Sequence, residues 1–198
     1  MFEDLIVELD PPTNRQSKCD GKKERHLTEA AVMLAYGMHL LRTIPGLQAV
    51  ELHPDGEHAK RFEMAQWLAT RGFVRQAGRS NTAFCGTYVN GDKCIVVSSI
   101  PGIGDVVATT RTGSIIAECK GGIVNTRHPG QVSRLRKGLC EAVGLLMARE
   151  KSGRQVAVVP KTGTTLKLAQ KLASRARDAG IEIALVDEQG RVVDVKPR

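Results

Sequence analysis

The sequence predicts an α/β fold in which helices flank a mixed central sheet. Three observations indicate it: two β-rich runs around a turn at residues 104–120, a helical spacing of apolar residues at 131–149, and a strand, helix and strand at 155–186. This alternation is typical of domains whose helices cover a sheet. The chain has 198 residues and 41% hydrophobic content, enough for one core, and residues 27–198 are predicted to form a single domain.

The first 26 residues are predicted to form an N-terminal extension of that domain. An apolar strand at residues 5–9 is followed by a linker rich in Pro, Asn, Ser and Lys. Thr28 then caps a helix that runs to about Arg42, with Glu29 in its first turn. Because this helix is apolar on most of its circumference, we expect it to be buried against the rest of the domain or against a dimer partner.

Two elements are expected between this helix and residue 104. A helix at residues 56–71 ends at Gly72, and a hairpin at residues 84–97 turns at Asn90-Gly91. Only Cys85 and Cys94 among the five cysteines are placed to meet, across that hairpin. The cysteines include no Cys-Xaa-Xaa-Cys motif, so we expect them to be reduced and mostly buried, and a zinc site is not predicted.

Residues 104–120 are the most informative stretch of the chain. Their two β-rich runs flank a Thr-Arg-Thr-Gly turn, which is a hairpin signature. We expect a four- to five-residue turn that pairs residues 106–108 with residues 115–117. This pairing brings the carboxylate of Asp105 near the carboxylate of Glu118.

The residue types at the end of this hairpin predict a magnesium site at which phosphodiester bonds are hydrolysed. Because side chains alternate along a strand, Glu118 and Lys120 point to one face and Cys119 to the other. Asp105, Glu118 and the backbone carbonyl of Cys119 offer the oxygen ligands that Mg²⁺ prefers, and Mn²⁺ is expected to substitute. Lys120 would orient the attacking water or stabilise the transition state.

The second half of the chain continues the α/β pattern. The expected elements are a helix at 131–149, a strand at 155–159, a helix capped by Thr164 or Thr165, and a strand at 181–186 after Gly180. The order is therefore hairpin, helix, strand, helix, strand.

The polar residues of the predicted hairpin at 104–120 resemble the motif of the PD-(D/E)XK nuclease superfamily. Gly104-Asp105 stands where many members have Pro-Asp, and Glu118-Cys119-Lys120 matches the second half of the motif. The C-terminal elements are similar to those of type IV restriction endonucleases, and the Asp-to-Glu spacing resembles that of archaeal-type Holliday-junction resolvases, whose later helix carries a Gln like Gln131. The resemblance implies a restriction-endonuclease-like core at about 56–190, Mg²⁺-dependent cleavage of DNA, and a supporting or phosphate-positioning role for Gln131.

Many members of that superfamily add an acidic residue from a helix that precedes the hairpin. Glu57 is the preferred candidate because it falls at the edge of the apolar face of the predicted helix at 56–71. Glu63 falls nearly opposite that face, and Glu29 is the least favoured of the three. The alternative is that no helical glutamate takes part.

The charge balance favours a nucleic-acid partner. The chain has 29 Lys and Arg against 21 Asp and Glu, a net charge of +8, and this excess attracts polyanions. The DNA-binding candidates lie beyond the hairpin, on the following helix, and on the next turn and helix: Arg127, His128, Arg134, Lys161, Lys167 and Lys171. The same residues also suit an ordinary solvated helix face. Aromatic residues make up only 4%, which disfavours single-strand binding by base stacking.

Three functions are open at this point, of which the least favoured is a nucleotide-free α/β interaction domain in which the motif is a coincidence. The first is a Mg²⁺-dependent DNA endonuclease, favoured by the presence of all three hairpin residues. The second is a non-catalytic DNA-binding or assembly subunit of a larger DNA-processing complex, favoured by the lack of a recognisable target-reading domain. A homodimer would suit double-strand cutting. We expect a cytoplasmic protein without a membrane span, because the longest apolar stretch, residues 30–41, is too short to cross a bilayer.

Overall fold

The computed structural model describes residues 3–54, 62–76, 82–150 and 152–197. In these ranges the strands are β1 (Ile6–Leu9), β2 (Glu24–Leu27), β3 (Ala49–Leu52), β4 (Val74–Arg75), β5 (Gly86–Asn90), β6 (Lys93–Val97), β7 (Val106–Thr110), β8 (Gly113–Cys119), β9 (Gly122–Ile123), β10 (Arg154–Pro160), β11 (Ile181–Val186) and β12 (Val192–Asp194). The α-helices are α1 (Glu29–Thr43), α2 (Met64–Ala69), α3 (Pro129–Ala148) and α4 (Gly163–Asp178).

The fold is mixed α/β, as predicted, with one large sheet flanked by helices. Its nine strands lie in the order β12-β11-β10-β8-β7-β3-β6-β5-β4, and a second sheet has the order β1-β2-β9. Strand β8 pairs antiparallel with β7 and parallel with β10, and β10 pairs parallel with β11. The sheet is therefore parallel around β10 and antiparallel at the hairpin.

Helices cover both faces of the large sheet, and β8 shows how its residues divide between them. Ala117 and Cys119 belong to the apolar cluster that contains most of α1. Ile116, the residue before Ala117, belongs to a second cluster with Leu139 and Leu146 of α3. This alternation is the period of two expected for a strand buried on both faces. None of the helices in the described ranges is long and apolar enough to cross a bilayer.

Helix α1 begins where the sequence predicts. The Thr28 hydroxyl accepts a hydrogen bond of 3.2 Å from the amide of Ala31, which satisfies one of the free N–H groups of the first turn. Every residue from Ala30 to Gly37 is buried within this chain. The predicted burial of the helix against its own domain is confirmed.

The β7–β8 hairpin has the predicted register. Val106 pairs with Ala117 and Ala108 pairs with Ile115. The turn is shorter than the predicted four to five residues, since Thr110 already pairs with Gly113. Gly113 has a φ of +141°, a value that residues with a side chain rarely adopt, so the glycine permits the tight connection.

The elements after the hairpin are confirmed, with corrections to their helix starts. Helix α3 begins at Pro129 with His128 as its cap, two residues before the predicted start. Helix α4 is capped by Thr162, not by Thr164 or Thr165. The Thr162 hydroxyl accepts from the Thr165 amide at 3.1 Å and the Thr165 hydroxyl accepts from the Thr162 amide at 2.8 Å, a reciprocal pair that defines the start.

The N-terminal segment contains more structure than a strand and a linker. A 3₁₀ helix spans Thr13–Lys18, and β2 pairs with both β1 and β9. The Asn125 side chain, just beyond β9, donates to the carbonyls of Asp20 and Lys23 and accepts from the amide of Arg25. The predicted boundary after residue 26 therefore falls inside β2, and the segment is fastened to the region that follows the hairpin.

The region between β3 and β7 agrees in part with expectation. Helix α2 lies within the predicted helix at 56–71, but residues 55–61, which include Glu57, lie outside the described part of the chain. The predicted hairpin is present, with Asn90 paired to Lys93. Cys94 pairs with Val89 rather than with Cys85, and all five cysteines are free.

Candidate functional site

The carboxyl end of β8 meets the start of α1 at one edge of the large sheet. Gly121 allows this meeting: a Cβ atom there would lie 2.5 Å from the Glu29 amide nitrogen and 2.7 Å from the Leu27 carbonyl oxygen. On the other side, the Lys120 amide donates to the Val158 carbonyl of β10 at 3.0 Å. Residues distant in sequence are thereby brought around the predicted hairpin motif.

Asp105 is fixed against β8 by its backbone and its side chain. Its amide donates to the Ala117 carbonyl at 2.9 Å, and its Oδ2 accepts from the Cys119 amide at 2.7 Å. The preceding Gly104 is buried, and a Cβ atom there would lie 2.7 Å from Cγ2 of Ile116. This crowding is a physical reason for glycine where the resembled motif usually has proline.

Glu118 is almost fully buried beside Asp105, with 3% of its side chain exposed. Burial and the negative charge of Asp105 raise the pKa of Glu118 to about 7, against the opposing effect of Arg149 and Lys120. Nη2 of Arg149 lies 2.5 Å from Oε1 of Glu118, yet Oε1 has no hydrogen bond of acceptable geometry. The contact is an ion pair without a directed hydrogen bond.

Lys120 lies between two carboxylates from different helices. Its Nζ is 3.5 Å from Oε2 of Glu29 and 3.4 Å from Oε1 of Glu141. Burial lowers the pKa of Lys120, but the carboxylates of Glu29, Asp105 and Glu141 outweigh it, so the pKa is raised. Lys120 is therefore held in its charged form beside the hairpin carboxylates.

A cleft of about 550 Å³ opens in front of Lys120. Its polar lining comes from α1, α3 and the N-terminal segment, and includes Arg15, His26, Glu29, Gln131, Arg134, Lys137 and Glu141. Its apolar lining includes Val7, Leu9, Leu27, Ile123 and Leu135. Neither Asp105, which is half-buried, nor Glu118, which is buried, lines this cleft.

The predicted catalytic residues divide accordingly. Lys120 and Gln131 line the cleft, whereas Asp105 and Glu118 do not. The Cys119 side chain is buried on the opposite face of β8, as predicted, and burial raises the pKa of its thiol well above the ordinary value. Only its backbone carbonyl remains a candidate metal ligand. Within the described ranges there is no group of three or more His, Cys, Asp or Glu side chains that could hold a metal ion.

Two of the three glutamates predicted as candidates for the helical acid lie in different clefts. The least favoured, Glu29, lies against Lys120 in the cleft. Glu63 instead lines a different cleft, together with Asp4 and Trp67. Glu57 lies outside the described residues.

Two of the DNA-binding candidates have structural partners. Nε of Arg127 lies 2.8 Å from Oδ1 of Asp20, and both side chains are exposed. His128 caps α3, with its Nδ1 accepting from the Gly130 amide at 3.2 Å. Each of these residues therefore has a local role that is independent of a ligand.

The other DNA-binding candidates lie on the surface around α3 and α4. Arg134 is exposed in the cleft next to Lys120. Lys161 is exposed directly after β10. Lys167 and Lys171 line a second groove, between α3 and α4. The predicted basic residues thus occupy both sides of α3 and do not form one patch.

Two residues at the site were not identified from the sequence. Glu141 lies three positions after Gly138, which packs against the Lys120 side chain, so helix periodicity would have placed it nearby once Lys120 was known to face α3. Arg149 ends α3 and has no local signal that connects it to Glu118.

Comparison with protein-family models, with curated proteins and with solved structures found no match.

Proposed function

We propose that this protein is a metal-dependent endonuclease that hydrolyses phosphodiester bonds in DNA. The observation that carries the proposal is the cluster at the end of the hairpin: buried Glu118 beside Asp105, with the charged amine of Lys120 next to them. Two carboxylates and an amine from one hairpin are the groups that a phosphodiesterase of the resembled type requires.

The order of elements around the cluster supports a restriction-endonuclease-like core. Helix α1 is followed by β3, the β7–β8 hairpin, α3 and β10, and these four strands are neighbours in the sheet in the order β3-β7-β8-β10. The core would then begin at α1, earlier than the predicted residue 56. In this arrangement Glu29 is the acidic residue contributed by the helix that precedes the hairpin.

The donor set fits a hard divalent cation. Asp105, Glu118 and the carbonyl of Cys119 would hold Mg²⁺ or Mn²⁺, ions that need few protein ligands because waters and phosphate oxygens complete their coordination. Burial and the negative charge of Asp105 raise the pKa of Glu118, and a bound cation would oppose both effects. When bound, the metal would provide an activated water and neutralise charge on the phosphate.

The residues of the chain would do the remaining work. Lys120, kept charged by its carboxylate neighbours, would stabilise the negative charge that develops on the phosphate in the transition state. Glu29 and Glu141 would position that ammonium group. Gln131, in the same cleft, would orient a phosphate oxygen.

The alternative function, a non-catalytic DNA-binding or assembly subunit, is favoured by one specific observation. Glu118 is buried and ion-paired with Arg149, and it does not line the open cleft. If that pair is permanent, Glu118 serves only the packing of α3 against β8. The basic surface would then bind DNA without cutting it.

Cutting assays distinguish the two functions. The purified protein would be incubated with supercoiled plasmid, linear duplex and single-stranded DNA in Mg²⁺, Mn²⁺ or EDTA, with Asp105→Asn and Glu118→Gln variants alongside. Metal-dependent cutting that both variants lose supports the endonuclease. Binding without cutting supports the assembly subunit, and equal cutting by wild type and variants indicates a contaminant.

A further inference from the structure

The groove between α3 and α4 is a basic concavity without acidic residues in its described lining. Its volume is about 610 Å³, and it is lined by Arg136, Gly163, Thr164, Lys167, Leu168, Gln170 and Lys171. Three of these residues are cations, and none is a carboxylate or an aromatic residue. The lining therefore suits an anion that is recognised by its charge and not by stacking.

The three cations in this groove differ in their ion pairing from several arginines elsewhere on the surface. Arg127, Arg154 and Arg191 each form an ion pair with a nearby Asp or Glu. Across the described ranges, no ion pair to a carboxylate is found for Arg136, Lys167 or Lys171. All three are exposed, so their positive charge is directed at solvent and at any ligand in the groove.

The groove and the candidate nuclease cleft are separated by a single helix. On α3, Arg134 and Lys137 line the cleft next to Lys120, whereas Arg136 lines the groove. Helix α4 begins at the sheet edge where Lys120 lies, because it follows the carboxyl end of β10, which runs parallel to β8. The middle of α3 passes the same place, since a Cβ atom at Gly138 would lie 3.2 Å from the Lys120 side chain. A DNA backbone that crosses α3 would place phosphates in both the cleft and the groove.

We infer that this groove binds the phosphate backbone of the DNA that enters the cleft, as a second contact separate from the cutting centre; the inference rests on the proposed function. Lys167 and Lys171 are one helical turn apart, about 6 Å along the axis, and Arg136 faces them from another helix. Charges spread in this way fit a series of phosphates better than the single phosphate group of a small metabolite.

The salt dependence of DNA binding tests the groove. Binding of a fluorescent duplex long enough to reach both concavities would be measured by anisotropy in EDTA over a series of salt concentrations. In Lys167→Gln/Lys171→Gln, the slope of log K against log salt is expected to become shallower by the contribution of about two phosphate contacts. Binding of every duplex sequence is expected to weaken. Both residues are exposed, so thermal melting should be unchanged.

A matched control removes the same charge elsewhere. Arg177→Gln/Lys196→Gln also removes two positive charges, but these residues line a cleft that includes Glu182 and Asp194. The control is expected to keep the wild-type slope. A slope unchanged in the groove variant, or lowered equally in the control, would overturn the inference.

The assay also separates this inference from the proposed function. Loss of the groove contacts weakens binding without abolishing metal-dependent cutting at saturating DNA, whereas failure of the nuclease proposal is measured as absence of cutting. A nucleoside triphosphate that binds wild type but not the groove variant, with the DNA salt slope unaltered, would assign the groove to a nucleotide and overturn the inference.

Discussion

The amine of Lys120 lies 3.5 Å from the carboxylate of Glu29. This contact joins the end of the hairpin to the first turn of a buried helix and makes Glu29 part of the site. Burial lowers the pKa of Lys120, and the charge of Glu29, together with Asp105 and Glu141, outweighs it and raises the pKa. The hairpin motif and α1 therefore act as one unit.

Replacement of Glu29 by Gln should impair cutting. The Glu29→Gln variant removes one of the two carboxylates that hold the Lys120 ammonium, so the cutting rate is expected to fall by about 10-fold or more. Folding is expected to change by only about 0.3 to 1 kcal/mol because Thr28 still caps α1. Plasmid cutting and thermal melting measure the two effects. Glu63→Gln is the matched control and should cut like wild type, because Glu63 lines a different cleft.

The buried Glu118 should make stability depend on pH. The folded protein keeps a proton on Glu118 up to about pH 7, whereas the unfolded chain releases it near 4.5. Ionisation of Glu118 therefore lowers the free energy of unfolding by up to about 3 kcal/mol as pH rises between these two values. Above pH 7 the contribution of this group is constant. Urea unfolding of Glu118→Gln should lack this component. The free energy of unfolding of the variant should therefore increase relative to that of wild type as pH rises. A constant difference across that range would contradict the assignment.

The Arg149–Glu118 ion pair should stabilise the fold mainly when Glu118 is ionised. Arg149→Met leaves the Glu118 carboxylate facing Asp105 without its counter-ion, with an expected loss of about 2 to 3 kcal/mol above pH 7 and much less below 4.5. In a Glu118→Gln background the same replacement should have little effect. A double-mutant cycle by urea unfolding at both pH values measures this coupling, and additivity would show that the pair contributes nothing.

Gly121 should be intolerant of a side chain. A Cβ atom would meet three backbone atoms of residues 27–29 at 2.5 to 2.7 Å, so Gly121→Ala is expected to destabilise the fold by about 1 to 3 kcal/mol and to displace Glu29 from Lys120. Gly144→Ala is the control, since nothing lies within 4 Å of a Cβ atom at that exposed helix position, and it should stabilise by about 1 kcal/mol. Equal melting temperatures for the two variants would contradict this packing.

The parts of the fold predicted from the sequence are those set by local patterns. The pairing of residues 106–108 with 115–117, the start of α1 at Thr28 and the strand Ile181–Val186 all follow from alternation, capping and glycine punctuation. The helix starts at His128 and Thr162 were missed by two to three residues, because several capping residues compete there.

Glu141 and Arg149 were missed and Glu29 was the least favoured candidate, because their positions at the site depend on tertiary contacts. Glu29 and Glu141 approach Lys120 from two helices, and Arg149 reaches Glu118 from the end of α3. No spacing in the sequence encodes these distances. Helix periodicity considers one helix at a time, so it could not indicate the approach of Glu29 to Lys120, which depends on the close packing of α1 at Gly121. The Glu57 prediction lies outside the described residues.

The central claim is that Lys120 acts on the phosphate during cutting, and one comparison tests it most directly. The rate of supercoiled plasmid cutting in Mg²⁺ at saturating DNA would be measured for wild type, Lys120→Met and Lys137→Met, a lysine of the same cleft that has no place in the cluster. Lys120→Met is expected to cut about 10²- to 10³-fold more slowly while binding DNA nearly as well, with Lys137→Met close to wild type in rate. Metal-dependent cutting by Lys120→Met at the wild-type rate would contradict the account.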